Sequence, residues 1–116
     1  MESIAGAATL LVLVDSVWLL TGGIYARQVA ERIQGKPVRI RYLAALITYM
    51  AMAYLVLQAK SAAHAFAIGA ATYAVYDFTT LAILQDYDWR FAIADTLWGG
   101  ILFTLVHLAL KSWEKQ

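Results

Sequence analysis

The chain contains no cysteine, which excludes a disulfide framework, a thiol nucleophile and any cysteine-based zinc or iron–sulfur site. Charge is also scarce. Asp, Glu, Lys and Arg make up 15% of the residues, against about a quarter in an ordinary soluble domain. The net charge of +1 leaves no basic excess for nucleic acid. No Walker loop, Rossmann glycine motif, HExxH or GxSxG is present. Ser16 has no histidine at a comparable depth, so a serine hydrolase is disfavoured. No catalytic residue and no cofactor is assigned on these grounds.

What fills the chain instead is apolar surface. Hydrophobic residues reach 62%, which moves the sequence out of the soluble class and toward the membrane class. Four stretches carry it: Ile4 to Tyr25, Tyr42 to Gln58, Ala62 to Leu84 and Phe91 to Leu110. Each approaches the roughly 20 residues that a helix needs to cross about 30 Å of hydrocarbon. The expected fold is an all-α integral membrane four-helix bundle, one transmembrane domain over residues 1–116. The second stretch is the shortest. The first lacks a basic leader, begins Met1-Glu2 and carries Asp15 at its middle, so it is read as retained rather than as a signal peptide.

The connection Ala26 to Arg41 holds Arg27, Arg32, Lys36, Arg39 and Arg41 against Glu31, and is the most basic region of the chain. The positive-inside rule makes it cytoplasmic, which also places the Gln85 to Arg90 turn inside and both termini outside. Lys60, Lys111 and Lys115 then fall outside. Ala26, Val29, Ala30 and Ile33 recur at helical spacing, and Gly35-Lys36-Pro37 supplies a stop, so a short helical extension is expected here. Its basic side would face anionic headgroups or simply signal topology. Tight connections at Lys60-Ser61 and Gln85 to Arg90 make the second and third helices, and the third and fourth, expected antiparallel neighbours. Tyr25, Tyr42, Tyr87 and Trp89 mark one interface and Trp113 the other. Ala63, Ala67 and Ala71 form a small-residue stripe suited to close helix packing.

Asp15, Asp77 and Asp95 fall inside the expected spans with no deep Lys or Arg to neutralise them. One Asp at a helix centre costs about 2.5 to 3.5 kcal/mol, so three unpaired ones would cost about 8 to 10 kcal/mol. At 1.5 Å per residue the three lie within roughly 10 Å of one another in depth, and they are expected to converge. Tyr73, Asp77 and Thr80 share a helix face, with Tyr76 adjacent. The pattern Asp-[Ser/Thr]-aliphatic-Trp occurs twice, at Asp15-Ser16-Val17-Trp18 and at Asp95-Thr96-Leu97-Trp98. Both tryptophans are too deep for an interfacial belt, and an indole N–H can donate to a carboxylate. Because the two helices run in opposite directions, the repeat suggests an inverted arrangement about a midplane site. His64 and His107 lie near one end of neighbouring helices, but two histidines without a third ligand make a polar contact a better reading than a metal site.

The run Tyr76-Asp77-Phe78-Thr79-Thr80-Leu81-Ala82, then Trp89, Asp95 and Trp98-Gly99, with Asp15 and Trp18 in the first stretch, resembles the DUF2177 family of small membrane proteins. The likeness extends over nearly the whole chain. Thr80 stands where the family pattern, Tyr-Asp-x-Thr-Asn, expects an Asn. The resemblance implies a helical membrane bundle with the same polar residues, and no reaction.

Together these observations predict a polar pocket lined by Asp15, Trp18, Tyr73, Asp77, Thr80, Asp95 and Trp98. The expected function is binding or transport of a proton-coupled small cation or cationic solute, with Asp77 the principal titrating group. The alternatives are a non-transporting accessory or scaffold subunit of a larger membrane complex, and an acid-pair lipid-modifying enzyme. Four helices in 116 residues make a thin wall, so a homo-oligomer or larger assembly is expected, with membrane lipids as the surrounding partner.

Overall fold

Residues 4–37 and 41–114 are described in a computed structural model of the chain; Glu2, Arg39 and Lys115 lie outside them. The described residues form five α-helices: α1 (Ile4–Leu19), α2 (Gly22–Gln34), α3 (Tyr42–Leu57), α4 (Ala62–Ile83) and α5 (Trp89–Glu114). The all-helical expectation holds, but with five helices in place of four. Two, α4 and the Trp89–Trp113 part of α5, are long and apolar enough to cross a membrane, and α1 with α2 becomes a third candidate if the bent pair is one span. The 16 residues of α3 reach only about 24 Å, short of the hydrocarbon thickness.

The first expected stretch, Ile4 to Tyr25, is bent rather than one straight helix: α1 ends at Leu19 and α2 departs at 75°. Local chemistry explains the break. The Thr21 hydroxyl donates back to the carbonyls of Val17 and Trp18 at 2.8 and 3.3 Å, and Thr21 takes the non-helical φ −116°, ψ −86°. Gly22 then lies directly under the Trp18 ring, where a Cβ would approach Cη2 to 2.7 Å. From Gly22 the chain forms the expected helical extension. It stops at Gly35, whose left-handed φ of 73° lets its N–H bond back to Glu31 O. Caps set the later starts. Ser61 Oγ accepts the His64 N–H at 3.0 Å ahead of α4, and Asp88 Oδ1 accepts the Arg90 N–H at 2.9 Å at the start of α5.

Packing differs from the expected order of neighbours. The most extensive contact is α4 on α5, as the short turn between them requires, but α3 packs chiefly on α1 and touches α4 only lightly. The α4–α5 contact is backbone-close. A Cβ on Gly69 would meet Gly99 O at 2.1 Å, and one on Gly99 would meet the Tyr73 ring at 2.4 Å. The inward face of α4 therefore runs Ala65, Gly69, Tyr73, Asp77 at four-residue spacing. The Ala63, Ala67, Ala71 stripe has the same spacing in another register and is exposed. Around this contact the core gathers Ala7 and Leu11 of α1, Met52, Ala53 and Val56 of α3, Ala65 of α4, and Leu102, Phe103 and Val106 of α5.

Because no space exists for a methyl group between α4 and α5, Gly69→Ala is expected to lower stability by about 1–3 kcal/mol through overpacking. Gly23→Ala, whose Cβ would meet its nearest neighbour at an ordinary 3.4 Å, is the control. Denaturation of both variants in mixed micelles, followed by circular dichroism, checks this. Equal stability of the two would contradict the close contact.

Candidate acidic site between the helices

The three acids are buried, with Asp15 4%, Asp77 0% and Asp95 8% exposed, on three different helices. A carboxylate removed from water needs donors, and the two Asp-x-x-Trp segments supply each other's. Trp98 Nε1 on α5 donates to Asp15 Oδ1 on α1 at 2.7 Å, and Trp18 Nε1 on α1 donates to Asp95 Oδ1 on α5 at 2.9 Å. Reciprocal bonds of this kind need antiparallel helices, since the acid of each segment lies opposite the indole of the other. Continued along the helices, the same register sets Leu11 opposite Leu102 and Ala7 opposite Val106, all four buried. The two indoles stack with centroids 5.7 Å apart and planes within 16°, and Phe91 continues the stack on Trp18 at 6.1 Å. The repeat seen in the sequence is thus a pair of crossed hydrogen bonds under an aromatic stack.

Two tyrosines complete the donor set. Tyr49 of α3 donates its hydroxyl to Asp15 Oδ2 at 2.5 Å, so both Asp15 oxygens are occupied. Tyr87, in the α4–α5 turn, donates to Asp77 Oδ1 at 2.7 Å. Burial, with the bond to Asp77, keeps the Tyr87 phenol well above its ordinary pKa and therefore a proton donor. The Asp77 carboxyl lies close enough to that of Asp95 to share a proton with it, and its second oxygen, Oδ2, is buried with no N–H or phenol donor among the described residues.

At the same end of the helices, Tyr25 of α2 donates to Asp88 in the exposed turn. That bond, with the Arg90 N–H, holds the Asp88 carboxyl below the usual carboxylate range. Tyr25 and Tyr87 both pack against Phe91, at 6.0 and 6.3 Å. The bent helix α2 is in this way tied down over the acidic side of the molecule.

Of the residues expected to line the pocket, the structure brings together Asp15, Trp18, Asp77, Asp95 and Trp98. Tyr73 and Thr80 take other parts. Tyr73 lays its ring against Gly99, and the Thr80 hydroxyl donates to Tyr76 O at 2.7 Å rather than reaching Asp77. This is the common fate of threonine in an apolar helix, where the carbonyl four residues back is the nearest acceptor; Thr9, Thr48, Thr72 and Thr104 do the same. Tyr49 and Tyr87 were not among the expected pocket residues. Tyr49 gave one signal in the sequence, a hydroxyl in the middle of an apolar stretch, while Tyr87 read as an interfacial anchor. His64 is occupied locally, its Nδ1 accepting the Lys60 backbone N–H at 3.0 Å, and no group of three potential metal ligands occurs among the described residues.

Five helices, two or three of them candidate spans, with three buried acids that each accept from an indole or phenol of the helix pack, define a small helical membrane protein with a buried polar centre. The chain belongs to DUF2177, described as a predicted membrane protein, whose family model matches residues 1–111. No curated protein and no solved structure matches it.

Removing either indole donor while keeping an aromatic ring leaves a buried carboxylate oxygen unsatisfied. Trp98→Phe and Trp18→Phe are each expected to cost about 1–3 kcal/mol. The double variant is expected to lose less than the sum, since the rings touch. The measurement is the same micellar denaturation. A Trp98→Phe variant as stable as the parent would show that the bond to Asp15 carries nothing.

Proposed function

We propose that the buried acids form a proton- or small-cation-binding centre, with Asp77 the exchanging group and Asp15 and Asp95 its partners, in a protein that moves that cation across the membrane. The observation that carries this reading is Asp77 Oδ2, fully buried beside the Asp95 carboxyl and lacking a donor where its neighbours have theirs. A proton fits that gap, and so would a small cation that displaced the shared proton. Asp15, with an indole and a phenol on its two oxygens, is supplied as a standing acceptor and suits a supporting role. In this reading α1, α3, α4 and α5 insert as four segments. Arg41 before α3 and Lys60 after it are placed to snorkel from a short span to the two surfaces. A homo-oligomer thickens the wall around any pathway.

A second reading has an observation of its own. Most of the acid oxygens are already paired with indole and phenol donors, which is also what interhelical hydrogen-bond glue in an accessory or scaffold subunit would look like. Asp77→Asn separates the two, because it preserves size and hydrogen bonding but removes the exchangeable proton. In proteoliposomes with an entrapped pH-sensitive dye, the parent is expected to carry flux and Asp77→Asn to abolish it with helicity unchanged. Unaltered flux in the variant, or none in the parent under imposed proton, sodium or potassium gradients, favours the accessory reading.

The orientation belongs to the same proposal, with the basic Ala26 to Arg41 region cytoplasmic and both termini outside. Single cysteines introduced at Gln34 and at Gln116 are unambiguous reporters in a cysteine-free chain. From the outside, an impermeant thiol reagent is expected to label position 116 and spare position 34; the converse inverts the topology.

A further inference from the structure

A second polar feature lies at the opposite end of the molecule, about 18 Å along α5 from Asp95. A cavity of about 200 Å³ opens where α3 ends and α5 runs through its last turns. Its walls are Val56, Leu57 and Leu110 on the apolar side and Lys60, His107 and Lys111 on the polar side. Among the described side chains no carboxylate lines it and neither lysine has an acidic partner, and the ion pair seen is Arg27–Glu31 at 3.2 Å on α2. His107 Nε2 is buried with no hydrogen-bond partner among the described residues. Two ammonium groups without an acidic partner, beside an imidazole without one, describe a wall of donors that lacks an anionic acceptor.

The chemistry that would satisfy this set is an anionic oxygen group, and the apolar wall specifies what it is attached to. A free inorganic anion gains nothing from Val56, Leu57 and Leu110, whereas the first methylenes of an acyl chain would lie along them. Trp113, two residues beyond Lys111 and 75% exposed, is the residue type that sits at headgroup level. A zwitterionic headgroup brings an ammonium that would find no carboxylate to meet it. We infer that the Lys60–His107–Lys111 cavity binds the phosphodiester of an anionic phospholipid, with its acyl chain along the Val56–Leu110 wall. This site uses none of the acidic residues and stands or falls independently of the transport proposal.

The test uses the full chain, purified in detergent, exchanged into phosphatidylglycerol or phosphatidylcholine micelles and read by native mass spectrometry for retained lipid. The parent is expected to retain phosphatidylglycerol over phosphatidylcholine by about thirtyfold, the factor that two basic groups provide at a membrane surface. Lys60→Gln with Lys111→Gln is expected to bring the preference within about twofold. Each single change, at an exposed side chain that leaves the helices undisturbed, is expected to lose about fivefold. His107→Phe is expected to weaken retention while keeping the ring's volume. Arg27→Gln, at the other end of the molecule, is expected to change nothing. Undiminished phosphatidylglycerol retention in both single variants overturns the site. Displacement of the lipid by millimolar inorganic phosphate, or phosphate binding without lipid retention, overturns the lipid assignment in favour of a free anion.

Discussion

The crossed exchange between Asp15 and Trp98 and between Asp95 and Trp18 is the constraint around which the other features are arranged. Carboxyls in apolar helices are costly, and an indole is among the few donors that an apolar helix can carry without a second penalty, since its ring is as hydrophobic as the surroundings. Placing acid and indole three residues apart puts them on one helix face. Placing the same pattern on an antiparallel partner makes each helix complete the other. That register buries the aliphatic residues along the rest of the α1–α5 contact. It also explains the glycines nearby: Gly22 leaves room for the Trp18 ring, and Gly99, next to Trp98, lets α4 come close enough to bring Asp77 to the pair.

Viewed from the acids, the three residues differ in how completely they are supplied. Asp15 accepts from an indole and a phenol, one on each oxygen, and these donors come from two helices. Asp95 accepts from one indole and abuts Asp77. Asp77 accepts from Tyr87 on one oxygen only. The gradation runs from a carboxyl with an indole or phenol on each oxygen to one with a single such donor. It follows from topology: α1 and α5 supply indoles to each other, while α4, packed backbone to backbone against α5, brings only Asp77 and a ring.

Much of this was legible in the sequence, for physical reasons. The bounds of α3 and α4 follow from hydropathy interrupted by the tight Lys60-Ser61 connection. The end of α2 follows from a glycine that can take positive φ, and the convergence of the acids follows from insertion cost alone. The break at Leu20-Thr21 lies at Thr21-Gly22-Gly23, a turn signal inside a stretch read by its overall hydropathy as one span; what fixes the bend there is the Trp18 ring seated on Gly22. Thr80 was misplaced because shared helix face is necessary but not sufficient for contact, and its own backbone offers a closer acceptor. Tyr49 depends on α3 packing against α1 instead of α4, a choice among helix neighbours that loop length alone does not decide.

The same arrangement bears on how the acidic centre would open. The α4–α5 contact, the most extensive among the described helices, is backbone-close where Gly69 meets Gly99, so parting these two would cost more contact than parting any other pair. The α1–α5 contact is the less extensive of the two and carries the crossed hydrogen bonds. If the centre binds a cation as proposed, opening would fall between α1 and α5, and α2, tied to the α4–α5 turn through Tyr25 and Asp88, would have to let go with it. Hydrogen bonds to charged groups contribute a net of about 1.5–3 kcal/mol each, so separating both indole–carboxylate pairs costs about 3–6 kcal/mol. A form that costly is a minor state. A ligand populates it only by binding the parted helices better than the closed ones by at least that margin. The groups placed to supply that margin would be the carboxylates that lose their indoles on opening, so the proposed cation is the ligand class that would gain most from the change.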